Sequence, residues 1–289
     1  MQDRQKGLLL TAFGVLVLSP DALVLRWLAA DAMQVLAWRG LLMAIGLGLL
    51  LAWRYRGGLP AAVRRCGWVG LGCGLCYCGS TIGFVQAITL AGAANTLLIL
   101  SIAPLIAAAL AWLFLGERLA LRTLLAILIC VGGVLLIVAD EAPGNSLVGN
   151  AWALAAATLL AGNFTLARSR PTVDMSPALL PGALLVSLLG FLIGGSPELS
   201  VPQWAGLAFM AGVLLPLAFM LIQLGPRWIS GTEVGLLLLL EVVLGPLWVW
   251  WLLGEAPSSQ VLLGGGLIFL TLCGHSLLGW RRGPAAQAG

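Results

Sequence analysis

A carboxylate in the middle of an apolar run must either do something or be neutralised, because ionised it costs on the order of 3 kcal/mol at the centre of a membrane helix. Glu241 is such a residue, about halfway along the apolar segment 232–252. Glu233, Glu241, Gly245 and Trp248 follow at spacings of eight, four and three, which puts them on one face of a continuous helix. That face is expected to look into a cavity. Glu241 could hold a cationic amine, or take up and release a proton. The competing account is a protonated side chain hydrogen-bonded to a neighbouring helix.

A second group offers binding surface. Tyr77, Ser80, Thr81 and Phe84 fall three, four and seven residues along one helix face. This aromatic and hydroxyl stripe could hold an amphipathic molecule, although small hydroxyls also glue membrane helices together. Asn95 and Asn163 are amides in apolar runs that need partners, either a ligand or a neighbouring helix. Trp38, Trp152 and Trp248 could add ring surface. Trp53, Trp68, Trp204, Trp228 and Trp280 stand at segment ends, where the interfacial aromatic belt accounts for them.

Helix breakers form a third group. Pro20, after Ser19, and Pro104, Pro216 and Pro246 lie inside apolar segments. Each removes a backbone hydrogen bond, and the kink can free a carbonyl toward a cavity. Pro104 and Pro246 sit in comparable segments of the two halves, four residues out of register. They are expected as bending points, against the alternative of static kinks.

Asp21, Arg26, Asp31 and Arg39 gather toward the ends of the first two segments. They read as an interfacial charge cluster, with an outer gate or a guide for a zwitterion as the other account. His275, the only histidine, lies near a segment end and reads as a satisfied interfacial residue. Glu117 and Glu255 read as charges at helix turns. Cys73, Cys76 and Cys78 lack a nearby His or carboxylate and read as packing residues, so no metal site and no cofactor are expected.

The elements that must position these residues are membrane helices. Of 289 residues 61% are hydrophobic and 9% charged, against about 25% charged in a soluble domain. The 38 glycines and 12 tryptophans suit closely packed helices with interfacial rings. A helix of roughly 20 residues crosses the hydrocarbon. Ten such segments are expected, near 7–28, 34–53, 66–89, 93–114, 121–139, 148–167, 177–195, 204–224, 232–252 and 260–280. The apolar stretch from Leu8 reads as the first of them rather than a removable leader, since no separate small-residue cleavage site follows it. The longest link, 54–65, carries four arginines.

With the N-terminus inside, thirteen of the fifteen Lys and Arg residues fall on the cytoplasmic side, leaving only Arg26 and Arg39 outside. Both termini are therefore expected in the cytoplasm. The chain also repeats. Leu115-Gly116-Glu117 recurs as Leu253-Gly254-Glu255, 138 residues on, and Gly7 to Arg26 matches Gly149 to Arg168 at an offset of 142. Trp68-x-Gly70-Leu71 echoes Trp204-x-Gly206-Leu207. Five segments per unit is odd, so the second unit enters the membrane inverted, an arrangement typical of secondary transporters with a site at the repeat interface.

Two five-helix units, each with a Gly-rich third segment and a fourth ending in Leu-Gly-Glu, resemble the drug/metabolite transporter superfamily and within it the EamA-type exporters. The resemblance covers essentially the whole chain and extends to the aromatic amino-acid exporter branch. It implies an all-α integral membrane protein of ten transmembrane helices, as two inverted five-helix repeats (residues 1–142 and 143–289) around a central cavity. Helices one to four and six to nine would surround the cavity, with five and ten to the side. It also implies export of small metabolites, foremost neutral and aromatic amino acids, from the cytoplasm across a bacterial inner membrane by alternating access. The candidate binding residues are Trp38, Tyr77, Ser80, Phe84, Asn95, Asn163, Glu241 and Trp248. Efflux of cationic drugs or other metabolites, with or without proton coupling, is the alternative.

The expected partners are a small-molecule substrate and the lipid bilayer, with no nucleic acid and no required oligomer. A membrane enzyme would need a nucleophile–base pair or a His-rich metal site, and the sequence has one His and no GxSxG or HExxH. No GxxxxGK[ST] loop is present to bind ATP.

Overall fold

The computed structural model describes residues 2–28, 32–117, 120–138, 147–194, 198–253 and 259–281. All regular structure among them is helical. In chain order the helices are α1 (Gln2–Leu18), α2 (Asp21–Leu28), α3 (Ala32–Tyr55), α4 (Leu59–Leu100), α5 (Ala103–Leu115), α6 (Leu121–Val138) and α7 (Leu147–Arg168). Then come α8 (Leu179–Ile193), α9 (Val201–Phe209), α10 (Leu215–Leu224), α11 (Gly231–Leu238), α12 (Leu240–Leu253) and α13 (Ser259–Arg281). A π-helical turn, Met210–Leu214, joins α9 to α10.

Five stretches are long and apolar enough to cross a membrane as single helices: Met33–Tyr55, Leu59–Ala91, Leu147–Arg168, Ser176–Ile193 and Val201–Arg227. Shorter apolar helices run over Ala103–Leu115, Leu121–Leu136 and Leu262–His275. The difference from the ten expected segments has local causes. The first segment breaks at Ser19-Pro20 into α1 and α2, and the ninth breaks at Leu239 into α11 and α12. The third and fourth segments share one helix, α4, which runs for 42 residues without interruption. The expected turn near 90–92 lies in an alanine-rich stretch of high helix propensity. The break comes instead at Ser101-Ile102, so that Pro104 falls in the first turn of α5, where its missing N–H costs nothing.

Of the other prolines, Pro216 sits in the first turn of α10, after the π-helical turn, and Pro20 lies in the link before α2. Pro20 and Pro104 thus remove no mid-helix bond, which corrects those two expected interior kinks, whereas Pro216 stays inside the continuous helical stretch Val201–Arg227. The expected long link 54–65 is also shorter, because α3 runs through Tyr55 and α4 starts at Leu59, placing Arg64 and Arg65 on a helix. Asp31 and Glu255, and the side chains of Arg26, Asn95, Gly245, Pro246 and Trp280, lie outside the described residues.

Five helix pairs build the body: α1 with α10, α4 with α7, α3 with α8, α5 with α11, and α6 with α13. Small residues let the backbones approach. At Gly182 of α8 an added Cβ would lie 2.5 Å from the Gly74 carbonyl of α4, and at Gly74 it would lie 2.7 Å from the Ala178 carbonyl. A main apolar core spans α1, α3, α8 and α10, with Met43, Leu47, Leu179, Leu215 and Ile222 fully buried. A separate cluster (Ile127, Cys130, Val134, Ile268, Leu272) lies chiefly between α6 and α13. The outside is apolar too. Trp53 (78% exposed), Trp68 (86%) and Leu147 (85%) project outward, as hydrocarbon and its interfaces require.

Candidate functional site

Three helix breaks meet around one cavity of about 150 Å³. Leu18 and Asp21 line it from either side of the α1–α2 break. Leu100, Ser101 and Ala103 do so at the α4–α5 break, and Leu238, Leu239 and Glu241 at the α11–α12 break. At the first break Ser19 turns its hydroxyl back onto the Leu16 carbonyl at 2.7 Å, and Pro20 cannot donate. Non-helical backbone at membrane depth is tolerated where protein or a cavity covers it, and these breaks meet that condition.

The remaining wall is aromatic and aliphatic. Tyr77, Ser80, Thr81 and Phe84 of α4 line it, facing Ala156, Leu160, Ala161 and Phe164 of α7 and Phe219 and Ile222 of α10. Tyr77 packs edge-on to Phe219 at 5.2 Å between ring centroids and donates its hydroxyl to Met43 Sδ at 2.7 Å. Ser80 and Thr81 both donate to the Tyr77 carbonyl, at 3.0 and 2.8 Å, so their oxygens are left as acceptors. Among the described residues the lining takes nothing from α6 and α13, expected to the side, and nothing from α8, expected around the cavity.

The charges are the main departure from the sequence reading. Asp21 and Arg39 are not an interfacial cluster. They line the cavity, with side chains only 7% and 12% exposed. Arg39 donates from Nη1 to Asp21 Oδ1 at 2.9 Å and from Nη2 to Oδ2 at 2.6 Å, a bidentate pair. Glu241 lines the same cavity, and the charges acting on it are those of Asp21 and Arg39. Among the described residues its carboxylate makes no hydrogen bond or ion pair. Ionised, the site holds two carboxylates and one guanidinium.

The other expected site residues separate. Asn163 is buried and exchanges two hydrogen bonds with Gln223 of α10, at 2.9 and 3.1 Å, away from the lining. Trp248 donates to Ser19 Oγ at 2.7 Å and so ties α12 to the α1–α2 break. Trp38 packs edge-on between Phe191 and Trp204, at 5.3 and 5.1 Å, outside the cavity lining. Trp204, near the start of α9, also packs on Trp38, while Trp228 lies under Lys6 and Arg227.

Glu233 does not share the face of Glu241, because the helix breaks between them. It closes a capping box with Ser230 at the start of α11 and pairs with Arg4. At the same end of the bundle Glu117 pairs with Arg168 at 2.9 Å, and Tyr55 donates to Asp174 at 2.8 Å. His275 is buried against Thr123 at 3.2 Å, between α13 and α6.

Arg39 and Asp21 carried a signal in the sequence. Each stands nine residues from residue 30 in the link between the first two segments. Two antiparallel helices joined by a turn there would bring them to equal depth, about 13 Å along each helix.

A sequence model of the EamA-like transporter family matches this chain twice, over residues 5–139 and 147–277. The chain belongs to that family, and it is a multi-pass membrane protein of the kind that transports small molecules. No curated protein sequence matches it significantly. Among solved structures, one described only as the crystal structure of a protein superposes with a TM-score of 0.78. The match is at 20% identity and covers 96% of this chain and 98% of that one. It is a likeness of fold.

Proposed function

We propose that this chain exports amino acids, neutral ones with aromatic or other apolar side chains, from the cytoplasm across a bacterial inner membrane. The observation that carries the reading is a cavity combining both signs of charge with four aromatic rings, those of Tyr77, Phe84, Phe164 and Phe219. A zwitterion needs a partner for each charge, and an apolar side chain needs ring or aliphatic surface. Glu241 serves the amine. Export is the direction that the resemblance to EamA-type exporters supports. The basic residues support cytoplasmic termini, with thirteen of fifteen on one side.

The mechanism is alternating access of two inverted five-helix repeats, residues 1–142 and 143–289, crossing the membrane ten times in all. The helix pairing supports this division. Exchanging the two units turns the α1–α10 contact into the α4–α7 contact and maps α3–α8, α5–α11 and α6–α13 onto themselves. The breaks at Pro20, Pro104 and Leu239 are the bending points, with Pro216 beside the π-helical turn and Pro246 inside α12 as further ones. Asn163, Trp38 and Trp248 support the site by bracing its helices rather than by touching substrate.

A second reading rests on the excess of carboxylate over guanidinium, which favours a cationic drug or amine. Uptake of a labelled amino-acid panel into proteoliposomes, with and without a pH gradient, tests the proposal. Saturable uptake accelerated by amino acid on the far side is expected. Transport confined to cationic compounds would replace the amino-acid reading with the second one.

A further inference from the structure

We infer that Arg39, held in place by Asp21, is the anchor for a carboxylate of the substrate, opposite in role to Glu241. This inference rests on the proposed amino-acid reading and names the residues that read the second charge. Arg39 offers five N–H groups in a planar fork. Asp21 takes one from each terminal nitrogen, the Nη1 and Nη2 bonds described above. Nε–H and one hydrogen on each terminal nitrogen remain, and no described residue takes the Nε–H. The residue lines the cavity, so these donors are available to a ligand there.

The rest of the polar lining offers at most one neutral hydroxyl, that of Ser101. Ser80 and Thr81 have given their protons to the Tyr77 carbonyl, and Tyr77 has given its own to Met43. Asp21 and Glu241 are acceptors when ionised. Arg39 is therefore the strong donor of the site, and a carboxylate entering the cavity is directed to it. Charge balance agrees. Ionised Glu241 is the charge left over for an entering ammonium, while an entering carboxylate must share the Arg39 fork with Asp21 and depends on its spare N–H donors. Asp21 has two tasks: it offsets the desolvation of Arg39 in the empty site and fixes the plane of the fork. Arg39 is thus a specificity residue, and Asp21 is a positioning residue.

The molecule supplies its own control. Asn163, which matches Asp21 at an offset of 142, makes a neutral double hydrogen bond with Gln223. The double variant D21N/R39Q writes the same neutral pair into the first unit and leaves the net charge of the cavity unchanged. In proteoliposomes, wild type and variant are compared on phenylalanine and 2-phenylethylamine, which share ring and amine and differ in the carboxylate. Wild type is expected to prefer the amino acid, and the variant to lose that preference by ten- to a hundred-fold, the range expected of one charge-assisted hydrogen-bond pair. R39K keeps the charge without the fork and is expected to fall between them.

An unchanged preference in the double variant overturns the inference. If that variant carries neither compound, an unchanged preference in R39K overturns it instead. A wild type that carries both equally well also overturns it, while leaving the carrier reading intact. A wild type that carries neither refutes the amino-acid reading itself.

Discussion

Asp21 and Asn163 stand 142 residues apart in matching stretches of the two halves, and each is half of a buried double hydrogen bond. In the first half the partners are charged, and the pair faces the cavity beside a helix break. In the second half they are neutral amides, Asn163 in the unbroken α7 and Gln223 in α10, out of the cavity lining. Two copies of one architecture have thus kept a polar crosslink at corresponding places and given it different tasks. The neutral pair satisfies four polar atoms at little cost in desolvation and braces α7 against α10. The charged pair costs far more to bury, and is placed where the cavity can make use of it.

The comparison can be broken most severely at Arg39. Replacing it with Leu leaves Asp21 buried without its cation, a loss of about 3–5 kcal/mol for a buried pair. The expected outcome is a sharp fall in monodisperse protein and in thermal midpoint, read by size exclusion and melting in detergent. R39L that melts like wild type would mean that the pair holds nothing together. Next comes Glu241, which stands alone where Asp21 has a partner. E241Q is expected to cut amine and amino-acid transport at least ten-fold and to flatten its dependence on pH. A variant that transports normally at every pH removes Glu241 as substrate partner and as coupling group.

The neutral pair should respond more mildly. N163A leaves the Gln223 amide buried and unpaired, at about 1–3 kcal/mol. It is expected to lower the melting temperature without changing which substrates are preferred. A change in preference would place Asn163 in the site after all. The smallest effect is expected at Trp248, whose indole N–H reaches the break beside Asp21. W248F removes that bond to Ser19, worth about 1 kcal/mol. It should weaken transport slightly, and a loss as large as that of E241Q would make the tie part of the site.

What the sequence exposed and what it hid divide along the same line. Glu241 and Ser80 were legible as polar residues inside apolar runs, and Tyr77 and Phe84 by helical spacing on the face of Ser80; all four line the cavity. Arg39 and Asp21 read as interfacial because each lies nearer a segment end than the middle, although their equal distance from residue 30 already pointed to one shared depth. Their meeting is a tertiary fact: the bidentate pair itself ties α2 to α3. Glu233 went astray for another reason. Helical spacing from 233 to 241 assumes one continuous helix, and the break at Leu239 resets the register. Trp38 looked like a binding ring because its type suits binding, but Phe191 and Trp204 already occupy its faces. The helical body itself was plain from composition, while the breaks within it were foreshadowed only where a proline followed.

Those breaks have a consequence for isotope exchange. The first backbone amides of a helix have no acceptor within it, and in α2 and α5 these first turns adjoin the cavity rather than an end of the bundle. Deuterium should therefore enter the protein at Asp21–Leu23 and near Ala103 well before the unbroken middle of α7, two wet seams inside otherwise slow helices. Saturating substrate should close them, so the mass of two short peptides would report occupancy without a label on the ligand.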